Sequence, residues 1–317
     1  MKAAVYHQYG APDVVSIQDI AKPVPSDNEI LIKMYAAAVT SGDGRLRRAD
    51  PFGVRLFFGL FKPRVHILGD GFSGVVEAVG KNVTKFKPGD HVFGTCGMKF
   101  GAHVEYKCLP ENGVVAIKPE AASHEQAAAV HFGGATALFF LRKAGVRAGQ
   151  KVLIYGASGA VGSAAVQIAK YLGAEVTGVC STANLEMVKN LGADQVIDYT
   201  KQDLSTLAER YDVVYEAVGK MPLSRLLPIT QAQGKVILGA AMLAETLRGA
   251  WASLTGKKKV ISGVAIETPE ILLELKKMME AGRLNPFIDR QFPLDRIADV
   301  HAHVEGGRKR GNVVVVV

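Results

Sequence analysis

Lys151-Val-Leu-Ile-Tyr-Gly-Ala-Ser-Gly-Ala-Val-Gly162, with Ser163-Ala-Ala-Val-Gln-Ile-Ala-Lys170 behind it, decides how this chain is read. The apolar run Val152 to Tyr155 predicts a buried strand, and it stops at glycines. A helical spacing then puts Val161, Ala165, Ile168 and Leu172 on one face. Strand, tight turn and helix in this order leave N–H groups unpaired at a helix start, where a dinucleotide pyrophosphate is held. A glycine triple also occurs in ordinary βα turns; the legible strand before it and helix after it favour the nucleotide cradle.

Downstream, short apolar strands are expected at 175–179, 195–197, 213–215, 235–238 and 260–264. Helical patterns at 183–191 and 204–209 alternate with them, which predicts a parallel, doubly wound sheet. Upstream the text changes character. Strand-like runs at 2–6, 30–35, 75–79, 91–93, 102–106 and 114–117 are broken by Pro23-Val-Pro25, Lys87-Pro-Gly-Asp90 and Pro110-Glu-Asn-Gly113. That pattern predicts a small β-barrel-like domain. Ser123-His-Glu-Gln126 is a capping box opening an alanine-rich helix, expected to break at Gly133-Gly134. Thr268-Pro-Glu270 starts another helix with Pro at its first position, a further helix is expected near 294–304, and the valines 313–317 read as a buried strand.

Composition narrows the classes. The 317 residues suffice for two domains, and 48% are hydrophobic. The net charge of +8 comes in small clusters, Arg45/Arg47/Arg48, Lys257-Lys-Lys259 and Arg308-Lys-Arg310, which read as solvated surface rather than a nucleic-acid tract. Three scattered cysteines without C-x-x-C spacing suggest neither a zinc knot nor a disulfide framework. Met1-Lys-Ala-Ala-Val-Tyr reads as a first strand, not a signal peptide, and no apolar run of about 20 residues predicts a membrane span.

Along nearly its full length the chain resembles the zinc-independent, quinone oxidoreductase-like branch of the medium-chain dehydrogenase/reductase family. The markers are Gly74-Val-Val-Glu-Ala-Val-Gly80, Phe86-Lys-Pro-Gly-Asp-His-Val-Phe93, the Tyr155–Gly162 loop, Leu191-Gly-Ala-Asp194 and Gly307-Arg-Lys-Arg-Gly-Asn-Val-Val314. The resemblance implies an α/β chain: a GroES-like β-rich domain over residues 1–120, with 265–317 returning to it, plus a Rossmann domain with a doubly wound parallel sheet over 121–264. It implies NADP(H) and a small apolar carbonyl or quinone substrate meeting between the domains, in a cytoplasmic homodimer without a nucleic-acid partner.

Residue by residue, zinc-dependent relatives supply a cysteine, then a histidine followed by glutamate; the matching positions here are Thr40, Asp70 and Gly71. A catalytic zinc needs three protein ligands and an open position, so no metal is expected. His301 and His303, two residues apart on the helix near 294–304, point in different directions and read as surface or packing residues. In the glycine loop, Gly156 precedes Ala157, Ser158 follows, and Gly159, Ala160, Val161 and Gly162 complete an A-x-G-x-x-G form common in the branch. The stretch Cys180, Ser181, Thr182 to Asn184 lacks the acid that binds a ribose 2′-hydroxyl, which favours a 2′-phosphate. Ser181 or Thr182 alternatively just caps a helix. Asn184 stands where relatives often carry lysine, and Tyr199 and Arg308 match positions around the phosphate. Ala217-Val218-Gly219 and Gly239-Ala240 end strands and so border the ribose or nicotinamide. Thr136 matches a threonine near the nicotinamide.

The cofactor performs the hydride transfer. Without zinc nothing stabilises an alkoxide, so a quinone or α,β-unsaturated carbonyl is expected, whose oxygen a hydrogen-bond donor can polarise. Thr40 is the expected donor, with Asp43 orienting it; Asp43 alternatively serves as a turn or cap residue. The loop 44–65 lacks the tyrosine relatives use and holds Phe52, Leu56, Phe57, Phe58 and Phe61, a greasy wall or lid, or else domain packing. Water is then the proton donor. The apolar stretch around Trp251 reads as helix packing or a dimer contact. The alternative function is a non-catalytic NADPH-binding sensor or RNA- or partner-binding protein.

Overall fold

A computed structural model of the chain describes residues 1–240 and 243–317. Contacts gather these into two units: Met1–Phe132 with Glu267–Glu280 and Pro286–Val317, and Gly133–Ile266 with Ala281–Asn285. Of the apolar stretch around Trp251, Ala241 and Met242 lie outside the described residues.

In the first unit the elements are β1 (Lys2–Val5), β2 (Ser16–Asp19), β3 (Glu29–Val39), α1 (Ser41–Arg48), α2 (Val54–Phe58), β4 (Gly71–Val79), β5 (His91–Thr95), β6 (Tyr106–Pro110) and β7 (Val115–Ile117). The helix α3 (His124–Ala144) leads into the second unit. There β8 (Lys151–Tyr155), α4 (Ala160–Tyr171), β9 (Glu175–Cys180), α5 (Leu185–Asn190), β10 (Gln195–Asp198), β11 (Tyr211–Glu216), α6 (Leu223–Leu226), β12 (Thr230–Leu238), α7 (Leu243–Thr255) and β13 (Lys259–Ile261) follow. The chain then returns with α8 (Pro269–Glu280), β14 (Ile288–Pro293), α9 (Ile297–Glu305) and β15 (Asn312–Val316).

β3 is long because two strands share one of its edges. Glu29–Lys33 pair with β6 and Ala36–Val39 with β15, while β4 takes the opposite edge. The terminal valines thus lie between β14 and β3, and Val313, Val314 and Val315 are buried. In the second unit every described strand pair is parallel, in the order β10-β9-β8-β11-β12-β13. Wholly apolar strands such as Val152–Ile154 suit a sheet covered on both faces.

Several expectations are corrected. The capping box is present, Gln126 N–H donating to the Ser123 hydroxyl and Ser123 N–H to the Gln126 amide oxygen, but α3 does not break at Gly133-Gly134. Gly133 instead permits close approach: a Cβ there would lie 2.5 Å from the Ala160 carbonyl oxygen. The contact division falls within α3, whose first turns pack on β4, where a Cβ on Gly71 would come 2.7 Å from the Ala128 carbonyl. The expected strand at 102–106 starts at Tyr106, since Ala102 and His103 donate instead to the Gly69 and Leu68 carbonyls. The expected helix at 204–209 is one short turn that Asp203 caps. The helices α1 and α2 and the strands β2 and β14 were not anticipated.

Candidate active site

The cradle forms where the order of the parallel sheet reverses. β8 and β11 are neighbours whose following chains leave towards opposite edges, so a crevice opens beyond their carboxyl ends. Gly156 leaves β8 at φ +79°, and a Cβ on it would fall 1.9 Å from the Val218 Cγ2 atom. Gly162 lets α4 lie against the turn, its notional Cβ being 2.1 Å from the Gly156 carbonyl oxygen. Gly159 occupies the N-cap and brings no side chain to it, so the first N–H groups of α4, from Ala160, Val161 and Gly162, keep no side-chain acceptor. Ala157 is buried and its N–H donates to the Val179 carbonyl. Thr136 is half-buried on α3, one turn beyond Gly133 and its contact with Ala160.

Polar groups line the rim. The Asn184 amide donates to the Ser158 hydroxyl at 3.3 Å and to the Ser181 hydroxyl at 3.1 Å, and its Oδ1 is buried without a partner. An uncapped helix start beside an orphaned amide and small hydroxyls fits the pyrophosphate and ribose of a dinucleotide. Cys180 is buried, its thiol pushed up to about 11 by that burial. The stretch from Cys180 to Asn184 carries no acid of its own, yet the pairing of β10 with β9 sets Asp198 against Cys180. Its carboxylate accepts from the Thr182 and Thr200 hydroxyls, and these bonds hold it below its usual range. Tyr199 is exposed, its ring 6.0 Å from Tyr155.

Sequence reasoning missed Glu216. This buried acid ends β11, and its carboxylate accepts from the N–H groups of Val218 at 3.2 Å, Gly219 at 2.7 and 2.8 Å and Lys220 at 3.1 Å. It therefore shapes the Ala217-Val218-Gly219 turn; burial raises its pKa against those bonds. The Gly239 N–H donates to the Glu216 carbonyl, and a Cβ on Gly219 would lie 3.2 Å from the Ala240 oxygen, so the two strand-ending loops are in contact. An acid closing the apolar run Val213-Val-Tyr-Glu216 was the available signal.

Thr40, Asp43, Asp70, Gly71 and Arg308 belong to the first unit. Thr40 is the N-cap of α1 in a full capping box: its hydroxyl accepts from Gly42 and Asp43 N–H and donates to Asp43 Oδ2 at 2.8 Å. Asp43 is buried and also accepts from Thr40 N–H at 2.7 Å and Gly69 N–H at 2.8 Å. A second cluster, invisible in the sequence, surrounds Asp70. Burial, with Asp43 nearby, pushes the Asp70 carboxyl up to about 7. Buried His131 has Nε2 3.2 Å from Glu267 Oε1, and Thr95 donates to Glu267 Oε2 at 3.3 Å. His131 and Glu267 come from distant segments, and nothing local in the sequence joins them. Arg308 is exposed in the turn before β15. His301 is buried against His103, while His303 pairs with Asp289 at 3.0 Å.

The family models that match are an alcohol dehydrogenase GroES-like domain over residues 26–120 and a zinc-binding dehydrogenase over residues 191–315. The 2-methylene-furan-3-one reductase of Solanum lycopersicum is 33% identical across 99% of this chain and 79% of its own. The NADPH-dependent alkenal/one oxidoreductase of Arabidopsis thaliana is 32% identical over the same shares. The quinone oxidoreductase structure from Coxiella burnetii superposes with a TM-score of 0.88 at 30% identity, covering 100% of this chain and 99% of that one. The second family model takes its description from zinc, but Thr40 and Gly71 stand at two of the three ligand positions, and among the described residues no group of three or more His, Cys, Asp or Glu is arranged to hold a metal. The chain belongs to the zinc-independent, quinone oxidoreductase-like branch of the medium-chain dehydrogenase/reductase family.

Proposed function

We propose that this chain is an NADPH-dependent, zinc-independent reductase of quinones or α,β-unsaturated carbonyl compounds. The observation that carries it is the uncapped start of α4, closed in by Gly156 and Gly162 and rimmed by Ser158, Ser181 and the orphaned Asn184 amide. When bound, the nicotinamide supplies the hydride. The protein holds the pyrophosphate on the N–H groups of Ala160 to Gly162, and the Glu216-braced turn carries Ala217 to Gly219. Ser181, Thr182, Asn184, Tyr199 and Arg308 are assigned to the adenosine phosphate end, and Thr136, Gly239 and Ala240 to the nicotinamide end.

Thr40 is assigned to the acceptor oxygen. Its hydroxyl proton lies on Asp43 in the resting structure, so it must turn to donate to a substrate. Asp43 would still accept the Thr40 and Gly69 N–H groups, which keeps the cost of that turn small. Water delivers the remaining proton. A cytoplasmic homodimer is the expected form; the exposed Leu247, Trp251 and Leu254 of α7 support an association surface, and no described helix is long and apolar enough to cross a membrane.

The test is an acceptor panel of quinones, enones and saturated ketones, run in parallel with NADPH and NADH in chelator-treated buffer. Oxidation of NADPH by quinones or enones supports the reading. Tight NADPH binding with no turnover across the panel would support the non-catalytic sensor instead.

A further inference from the structure

The segment from Arg45 to Arg64, expected from the sequence as a greasy wall or lid or as domain packing, carries an unusual surface. Val54 and Phe58, four apart on α2, pack into the core of the first unit, and the Phe58 ring meets Phe100 edge-on at 6.0 Å. Leu46 is buried as well, but four large apolar side chains point out: Phe52 is 67% exposed, Leu56 69%, Phe57 78% and Phe61 85%.

This is a built tip, not a loose loop. Gly59 turns at φ +120°, where a Cβ would meet the Lys62 carbonyl oxygen at 2.0 Å, and Arg64 N–H donates to the Phe58 carbonyl at 2.7 Å. The Tyr9 hydroxyl donates to the Gly59 carbonyl at 2.7 Å, and the Arg55 guanidinium lies 4.8 Å above the Tyr9 ring. The fold thus holds Leu60 and Phe61 outward at the apex. The charge around them has one sign. Arg45, Arg47, Arg48, Arg55, Lys62 and Arg64 are the cations of the segment, and Asp50 is its only acid. Arg47 and Arg48 are taken up by Glu305, while Arg45, Arg55, Lys62 and Arg64 have no carboxylate partner among the described residues.

We propose that this tip docks the chain on an anionic phospholipid bilayer. Phenylalanines and leucines held outward enter the headgroup–acyl boundary, and the cations around them meet lipid phosphates, the pairing that interfacial segments use. A protein partner would need acidic groups complementary to the cations around an apolar pocket; the bilayer supplies both along one plane. The inference stands without the reductase reading, because docking is measured without turnover.

The experiment is flotation of the full chain with phosphatidylcholine vesicles, with and without phosphatidylglycerol, at low and high salt. Binding is expected to the phosphatidylglycerol vesicles, weakened at least about tenfold in phosphatidylcholine alone or at high salt. The double variant Phe57→Ser/Phe61→Ser should lose binding by about tenfold or more, and Lys62→Glu/Arg64→Glu should lose it as well. Unchanged melting temperatures establish that the variants are folded; a variant that melts early is replaced by Phe57→Gln/Phe61→Gln. No binding of the wild-type chain, equal binding of the folded variants, or light scattering in which Phe57→Ser/Phe61→Ser splits a dimer would each overturn the proposal, the last by giving the tip to a second copy of the chain.

Discussion

At the scale of the residue, two acids matter most, and both lie outside the motifs. Asp70 is buried beside Asp43 and Glu267, and its carboxyl is pushed up to about 7 from an ordinary 3.8. Below that ordinary value both folded and unfolded chains keep the proton, and pH changes nothing. As pH rises towards 7 the unfolded chain releases the proton while the folded chain holds it, so stability falls across this window and stays lowered above it. Asp70→Asn keeps an oxygen to accept the Gly71 N–H and removes the titration. It should raise the melting temperature at about pH 8, by a stability on the order of 2 kcal/mol, and leave it nearly unchanged at about pH 4. An equal effect at both values would mean that Asp70 stays ionised in the folded chain. Asp198 acts on ligand choice instead. It is a half-buried carboxylate at the end of β10, bonded to Thr182, in the neighbourhood proposed for the 2′-phosphate. Asp198→Asn should shift the NADPH to NADH affinity ratio about threefold towards NADPH at low salt, and less at high salt. Titration of both cofactors at two ionic strengths reads this directly.

At the scale of the element, α4 shows what is legible in a sequence and what is not. Its start could be read from Lys151 to Lys170 because every cue is local: an apolar strand, glycines at the turn and a helical period. α1 was hidden by Ser41-Gly-Asp-Gly44, which reads as a turn, although Thr40 and Asp43 at capping-box spacing were the signal that announced it. The acid cluster was not legible, since Asp70, His131 and Glu267 meet only once β4, α3 and the segment before α8 have packed. Asp198 was missed for a related reason: strand pairing, not chain distance, sets it beside Cys180. Gly159 offers the cleanest test of α4 itself. Its φ is an ordinary −82°, and the nearest atom to an added Cβ is the Gly156 carbonyl oxygen at 3.5 Å. An aspartate therefore fits and caps the helix. Gly159→Asp should keep stability within about 0.5 kcal/mol or raise it slightly, while its charge, placed on the N–H groups meant for the pyrophosphate, should weaken NADPH binding by about 100-fold or more. Thermal melting and cofactor fluorescence together separate this from simple damage to the fold.

At the scale of the whole molecule, the first unit is completed by residues from both ends of the sequence, and the resemblance to relatives, not periodicity, announced that return. β15 enters between β14 and β3, and α9 meets α1 through a charge that composition misreads as surface. Arg47 is fully buried; it donates to the Gly10 carbonyl at 2.7 Å and pairs with Glu305, which Arg48 also reaches at 2.5 Å. The partners are unequal. Arg48 can still serve Glu305 when Arg47 is removed, but among the described residues no other carboxylate pairs with Arg47, on which Asp13 acts only through space and whose burial already pulls its pKa down to about 10. Glu305→Ala should therefore be the costlier change, by roughly 3–5 kcal/mol, because it strands a buried guanidinium. Arg47→Met, which fills the space without a charge, should cost less, on the order of 1–2 kcal/mol. The double variant Arg47→Met/Glu305→Ala should recover most of the loss seen in Glu305→Ala, since the stranded charge is gone. Denaturant unfolding of the two single variants and the double variant closes the cycle. If Glu305→Ala and Arg47→Met cost the same and the double variant costs their sum, the pair is not coupled, and α1 and α9 are held together by apolar packing alone.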